Sequence, residues 1–351
     1  MGGDEFAIVF DGEVGHDALS RRVDELLQRL ADPFAIDGRR IYTTASIGIV
    51  LAEGRHQTAA ELLRDADTAM YEAKSTGRAR AAYFDARMHA STSRRMELAS
   101  DLRGALERGE FRLQYQPIVS LASGDVVAYE SLLRWLHPSR GMLSPSRFLP
   151  IAIETGLIVP IGRWGIAEAA RTMAAMHDGG DAVRMHVNLS VQELMQPDLD
   201  AFIADQLEQT AVPPEAFVIE ITESAIVESG PVAERALERL LRLGVRLCVD
   251  DFGVGYSSLR YLHQFPIDSL KVDGSFVRGH DGELANEPIV RMLIELARSL
   301  RLELIAEGVQ TEAQRQALLR LGCRYGQGYL FARPLRVRGG TPVEDLAQEP
   351  A

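Results

Sequence analysis

The chain has 351 residues, 46% of them hydrophobic and 25% charged, and carries a formal net charge of -12. That length accommodates one large barrel plus a smaller unit, because single domains rarely grow past ~250–300 residues. The acidic balance argues against duplex nucleic acid as a partner, whose affinity comes from Lys and Arg neutralising phosphates. A small anionic nucleotide stays allowed where metal ions supply the positive charge locally. No apolar run approaches the ~18 residues of a membrane helix. The start, Met1-Gly-Gly-Asp-Glu-Phe6, lacks the basic and apolar regions of a signal peptide. Cys248 and Cys323 stand far apart in or beside apolar segments, which favours buried reduced thiols. The expectation is a cytoplasmic protein with no membrane segment in this chain.

Taken in order, Phe6–Phe10 is a short strand candidate and Asp17–Leu30 has helical apolar spacing. Ile41–Leu51 reads as a strand, Ala59–Ala73 as an amphipathic helix and Ala81–Phe84 as a closing strand. Residues 86–110 read as a polar connecting helix. From Phe111 the rhythm changes. Phe111, Leu113 and Tyr115 alternate with polar residues, and strand candidates follow at Val126–Tyr129, Val183–Leu189, Phe217–Ile221, Val245–Val249, Ser269–Val272, Leu302–Ala306 and Tyr325–Phe331. Helical stretches such as Ile161–Met176, Val232–Leu243, Pro288–Leu300 and Glu312–Leu321 lie between most of them. Repeated βα units imply an α/β fold with a parallel sheet, and no Gly-rich phosphate loop follows the first strand. A closed (β/α)8 barrel is therefore favoured over an open doubly wound sheet.

Seven of these strands carry a polar group in or just after their C-terminal halves: Glu130, Asn188, Glu220, Asp250 with Asp251, Lys271, Glu307 and Gln327. In a barrel of this kind the strand ends converge at one mouth. Any one acid alone reads better as a solvated carboxylate or a helix cap. Five carboxylates in one pocket repel at ~4 kcal/mol per close pair at an effective dielectric of 20, so they must hold protons or cations. All-oxygen donors, with an Asn carbonyl among them, suit Mg²⁺ or Mn²⁺ rather than zinc. Adjacent Asp250 and Asp251 can bridge two ions, as in phosphoester hydrolysis. The histidines His137, His186 and His263 have no metal-ligand spacing and read as ordinary core or surface residues. Asp251-Phe-Gly253 spells the magnesium tripeptide of protein kinases, but no kinase catalytic loop or Gly-rich loop precedes it.

Tyr129-Glu-Ser-Leu-Leu-Arg-Trp135 resembles the signature segment of the EAL phosphodiesterases, with Ser131 where that family's name-giving Ala usually stands. Further matches follow in order: Tyr115-Gln-Pro117, Val187-Asn-Leu-Ser190, Glu220-Ile-Thr-Glu223, Asp250-Asp-Phe-Gly-Val-Gly-Tyr-Ser-Ser258, Leu270-Lys-Val-Asp273, Ala306-Glu-Gly308 and Gln327-Gly-Tyr-Leu-Phe331. The resemblance implies a barrel that linearises cyclic di-GMP to pGpG with two divalent cations. By the same resemblance, Glu130, Asn188, Glu220 and Asp250 hold one ion, and Asp250 with Asp251 contribute to the second. Lys271 orients the water, while Glu307 acts as general base or supports the second metal. Glu223 braces the loop 252–258, and Gln116, Arg134, Asn188, Asp273 and Gln327 contact the substrate. Related domains also pair, so a homodimer through the barrel is expected. Two further departures are Val254, where Thr is frequent in a loop whose order matters for activity, and Gln310, where many members carry Glu; the charge missing at Gln310 is expected to lower activity or raise the Mg²⁺ requirement.

Gly2-Gly-Asp-Glu-Phe6, Ala45-Ser-Ile-Gly-Ile49 and Ala66-Asp-Thr-Ala-Met-Tyr-Glu-Ala-Lys74 resemble the C-terminal portion of a GGDEF diguanylate cyclase domain. Without the upstream half that supplies that family's first metal-binding aspartate, this portion is not expected to be catalytic. The expected organisation is a truncated GGDEF-like unit at 1–85, a connector at 86–110, the EAL barrel at 111–337 and a tail at 338–351. The leading expectation is an active phosphodiesterase. A catalytically weak cyclic di-GMP receptor is the alternative, and a scaffold using the barrel only for protein contacts is disfavoured by the cost of unused buried acids.

Overall fold

The computed structural model describes residues 5–10, 15–36, 39–52, 58–75, 77, 79–178, 183–253, 265–279 and 282–343. Two compact units divide the chain between Leu98 and Ala99, inside a helix spanning Ala86–Arg103.

In the first unit, β1 (Phe34–Ile36) pairs antiparallel with β2 (Arg39–Ile41), and β3 (Ile47–Ile49) lies parallel to β4 (Ala81–Tyr83). Leu19 and Val23 of helix His16–Ala31 pack with Ile49 into a small core, with Leu27, Ile47, Leu51, Ala81 and Tyr83 against it. Helix Ala59–Ser75 rests directly on β3 at Gly48. A Cβ there would stand 2.0 Å from the Ala66 carbonyl oxygen and 2.3 Å from the Met70 nitrogen, so only glycine permits the contact. The strand expected at Phe6–Phe10 is absent, and Phe6 and Val9 are almost fully exposed. An apolar run becomes a strand only where a neighbour accepts its hydrogen bonds, and no described strand pairs with it. The expected strand Ile41–Leu51 is broken for the same reason: Ile41 ends β2, and the chain regains a partner only at Ile47.

The second unit is built on β5 (Phe111–Ser120), β6 (Val126–His137), β7 (Gly141–Leu143), β8 (Arg184–Asn188), β9 (Phe217–Thr222), β10 (Arg246–Phe252), β11 (Ser269–Val272), β12 (Glu303–Ala306) and β13 (Tyr325–Gln327). The order β5-β13-β12-β11-β10-β9-β8-β6 closes on itself through β5–β6 pairing, and β7 hangs from β6 as a hairpin arm. This is the expected closed eight-stranded α/β barrel, with one difference in direction. Strand β5 runs antiparallel to both neighbours, while the remaining junctions of the ring are parallel. The cause is local: only residues 121–125 join Ser120 to Val126, with Gly124 at φ +81°. A link that short can make a hairpin but not a parallel crossover.

Helices Ile158–Asp178, Leu199–Thr210, Glu287–Leu300 and Glu312–Leu321 turn their apolar faces to the strands, and the main core runs continuously among them. The connecting helix expected over 86–110 stops at Arg103, and a series of turns leads from there to Glu110. After the barrel, β14 (Arg336–Arg338) and β15 (Thr341–Val343) form a hairpin that straddles the boundary expected at 337/338. Both cysteines are buried and unpaired. Among the described residues, no helix is long and apolar enough to cross a membrane.

A capping box ties the loop after β8 to the barrel. Ser190 caps helix Val191–Leu194, and the Glu193 carboxylate accepts from both the Ser190 backbone N–H and its hydroxyl. Glu193 is 3% exposed, its Oε1 has no hydrogen-bond partner, and burial pushes its carboxyl up to about 7. A folded-state value above the unfolded one means that Glu193 favours folding most below about pH 4.5, and that this contribution is lost as pH rises through about 7. Relative to the wild type, Glu193→Gln is therefore expected to gain ~2–3 kcal/mol between pH 4.5 and pH 8. Urea denaturation of both proteins at the two pH values measures this, and an equal gap at both refutes it.

Candidate active site

Alternation along each strand builds the site in two layers. Ile118, Ala128 and Ile305 form a small apolar cluster with Tyr325 against it. Two residues further on, and on the same strand face, come Glu130, Glu307 and Gln327. On β5 the rim residue instead comes two positions earlier, at Gln116, because that strand runs the other way. His186, Cys248 and Ser269 stand in the same relation to Asn188, Asp250 and Lys271.

Lys271 sits at the centre and is 1% exposed. Its ammonium donates to Glu307 Oε1 at 2.7 Å, Glu130 Oε2 at 3.0 Å and Glu220 Oε2 at 3.1 Å, with Asp250 Oδ1 at 3.6 Å. Glu130 also accepts from Asn188 Nδ2 at 2.8 Å and Gln327 Nε2 at 2.7 Å, and the Gln327 amide reaches Gln116 Oε1 at 3.1 Å. Eight residues named from the sequence are thus joined in one network.

The electrostatics are unequal. Burial raises the Glu130 carboxyl, but Lys271, Gln327 and Asn188 outweigh it and hold it at about 2. Burial pushes Glu220 well up and Glu307 to about 7, with only partial relief from Lys271. Lys271 itself, although burial alone would lower it, is held well above its ordinary value by Asp250, Glu130, Glu220 and Glu307. Burial, then Asp250 and Asp273, raises Asp251. One ammonium cannot neutralise five carboxylates. The remaining charge calls for protons or cations, and one carboxylate oxygen from each of Asp250, Asp251 and Glu307 lies within 4.8 Å of the others, close enough to share an ion. These donors are all oxygen, which fits hard divalent ions.

Asp251 reaches this position by a kink. It adopts φ +53°, in the left-handed region, and the β10–β11 register slips between Val249 and Phe252. The bulge lets adjacent aspartates face the same mouth instead of opposite faces of the sheet. Glu223, at the head of helix Glu223–Arg242, accepts from the Gly253 backbone N–H at 3.3 Å, and Gly253 has φ +97°. The rest of the loop 252–258, including Val254, lies outside the described residues.

Two expected substrate contacts are tied to nearby backbone. Arg134 is buried on β6 and donates to the Leu133 carbonyl at 3.0 Å. Asp273 caps helix Gly274–Val277 by accepting from the Ser275 N–H at 2.9 Å. A cavity of about 220 Å³ opens beside the acids, lined by Gln116, Glu130, Glu307, Gln310 and Gln327 together with Arg278 and Tyr329. Its floor requires glycine at Gly328, where a Cβ would fall 2.1 Å from the Val309 carbonyl oxygen. Sequence reasoning passed over Arg278, which carries no motif. His186 is a buried core residue, as expected, and its Nδ1 also lies 2.7 Å from Glu220 Oε1, a contact that its lack of metal-ligand spacing does not announce. Its position two residues before Asn188 on a barrel strand was the available signal. His137 does serve a structural role, bonding Asp101 Oδ2 at 3.1 Å, and His263 lies outside the described residues.

The family model "EAL domain" matches residues 99–334, and "Diguanylate cyclase, GGDEF domain" matches residues 1–80. The chain belongs to the EAL family. Among its relatives, the "Bifunctional diguanylate cyclase/cyclic di-GMP phosphodiesterase MucR" of Pseudomonas aeruginosa is 40% identical over 349 residues, covering 99% of this chain and 50% of that protein. The "Cyclic di-GMP phosphodiesterase PdeR" of Escherichia coli is 36% identical over 334 residues, covering 95% and 50%. The chain therefore spans about half the length of these curated relatives. The solved structure "PaMucR Phosphodiesterase, c-di-GMP complex" superposes with a TM-score of 0.65 at 42% identity, over 68% of this chain and 97% of the other.

Removing the central ammonium tests the charge argument. In chelator, Lys271→Met is expected to lose ~3–5 kcal/mol of stability, because four close acids lose their common counter-charge. Added Mn²⁺ should restore more stability to the variant than to the wild type. Denaturant titrations with and without the ion read both effects, and equal stability in chelator would contradict the scheme.

Proposed function

We propose that the barrel hydrolyses cyclic di-GMP to linear pGpG using two divalent cations, Mg²⁺ or Mn²⁺. The observation that carries this reading is the convergence of five carboxylates and Asn188 around the single ammonium of Lys271 at one barrel mouth. The relatives' names and the cyclic di-GMP complex of a 42% identical barrel support the choice of substrate.

In this reading Glu130, Asn188, Glu220 and Asp250 hold one cation, and Asp250 with Asp251 hold the second. When bound, the two cations acidify water enough to make a nucleophile at neutral pH. Lys271 orients that water and offsets the charge that grows on the phosphoryl oxygens. Glu307 is the general base, or supports the second cation. The water oxygen bonds to phosphorus as one P–O ester bond of the ring breaks, and the freed ribose hydroxyl takes up a proton. Gln116, Arg134, Asn188, Asp273 and Gln327 contact the nucleotide, and Glu223 braces the turn at Gly253. Arg278 and Tyr329, which line the cavity, offer a cation for phosphate and a ring for base stacking. We include a homodimer through the barrel in the proposal; a monomer by light scattering at assay concentration would remove it.

Purified protein incubated with cyclic di-GMP and Mg²⁺ or Mn²⁺ should yield pGpG, resolved chromatographically. Glu130→Gln is expected to lower turnover by more than ~100-fold, since direct ligands matter at least as much as their outer partners. Full turnover in chelator would overturn the cation mechanism, and tight binding without product would favour a receptor.

A further inference from the structure

Beneath the acid ring, the inward faces of β8 and β10 carry His186 and Cys248, and both flank Glu220. The His186 and Glu220 side chains are 2% and 0% exposed, with Nδ1 and Oε1 2.7 Å apart. A ligand-type atom of Cys248 lies within 4.8 Å of both. Glu220 is therefore gripped at both oxygens from different directions: His186 holds Oε1 from below, and Lys271 reaches Oε2 at 3.1 Å. When Glu220 holds a cation its carboxylate is ionised and only accepts, so in that state the imidazole donates through Nδ1–H. The strand beneath the ring is itself anchored, since the Ser131 hydroxyl donates to the His186 carbonyl at 3.0 Å. Glu130 is held in the same manner on its own strand, by Asn188 at one oxygen and by Gln327 and Lys271 at the other. Glu220 has no amide partner of this kind among the described contacts, and His186 takes that place.

We propose that His186 is a positioning residue for Glu220: its Nδ1–H pins Oε1 and leaves Oε2 directed at Lys271 and the bound cation. The inference rests on the two-cation reading above. Without the imidazole, the Glu220 carboxylate can swing about its terminal torsion, and a cation would have to freeze that motion on binding. Outer hydrogen-bond partners of metal-ligating groups typically contribute ~10–100-fold in metal affinity.

The test uses the full chain, stripped with chelator and titrated with Mn²⁺ while electron paramagnetic resonance reports the free ion. His186→Ala and the space-filling His186→Leu are expected to weaken Mn²⁺ binding by ~10–100-fold. His186→Asn, whose amide nitrogen can occupy the Nδ1 position, should stay within a few-fold of the wild type. Circular dichroism melts accompany each titration; a variant that does not fold is replaced in the comparison by the other apolar one. Unchanged binding in the apolar variants overturns the inference, and so does equal weakening in His186→Asn, which marks a purely structural role. Stoichiometric zinc in the purified protein, lost in both His186→Ala and Cys248→Ser, also overturns it by making the imidazole a ligand rather than a donor. If the wild type itself does not bind Mn²⁺, the cation reading fails and takes the inference with it. A wild type that binds, beside apolar variants that bind equally, removes only the role of His186.

Discussion

A single buried ammonium organises this molecule. Lys271 lies within 3.6 Å of four carboxylates, three on strands and Glu307 just past the end of β12, and almost no solvent reaches it. Bringing so many acids together in a poorly solvated mouth is costly, and one positive charge offsets only part of that cost. The shortfall appears in the raised carboxyls of Glu220, Glu307 and Asp251, beside a Glu130 that Lys271 and two amides hold low. Such a site is poised to take up positive charge, and that demand links the packing of the barrel to its chemistry.

Strand direction does the placing. Parallel strands all present their C-terminal ends at one mouth, so each can contribute its residue from the same sequence position relative to an apolar floor. Strand β5 is the exception and shows the rule, because reversal puts Gln116 before Ile118 rather than after it. The bulge at Asp251 solves a related problem. Two consecutive strand residues ordinarily face opposite sides, and a left-handed backbone at one of them lets both aspartates serve the same mouth.

Much of this was legible in the chain. Strand and helix rhythm from Phe111 onward gave the barrel, because buried parallel strands require short apolar runs separated by amphipathic helices. Several boundaries, such as Ser269–Val272 and Glu312–Leu321, fall where periodicity puts them. The rim residues Glu130, Asn188, Glu220, Asp250, Lys271, Glu307 and Gln327 were visible because each falls in or just after its strand. Less was legible in the first unit, where Phe6–Phe10 has strand composition and no described strand to pair with.

By itself, then, the sequence determined the repeating units, the polar residues they carry and the family they belong to, since these follow from local periodicity and residue type. Tertiary structure alone decided how charge is shared: which oxygen of Glu130 meets Lys271, that Glu220 leans on His186, and that Arg278 and Tyr329 wall the cavity. The two hydrogen bonds join residues 34 and 141 positions apart, across strands whose register is set only when the ring closes. No local pattern encodes a distance of that kind, because it exists only once strands distant in the chain, such as β13 and β5, have paired.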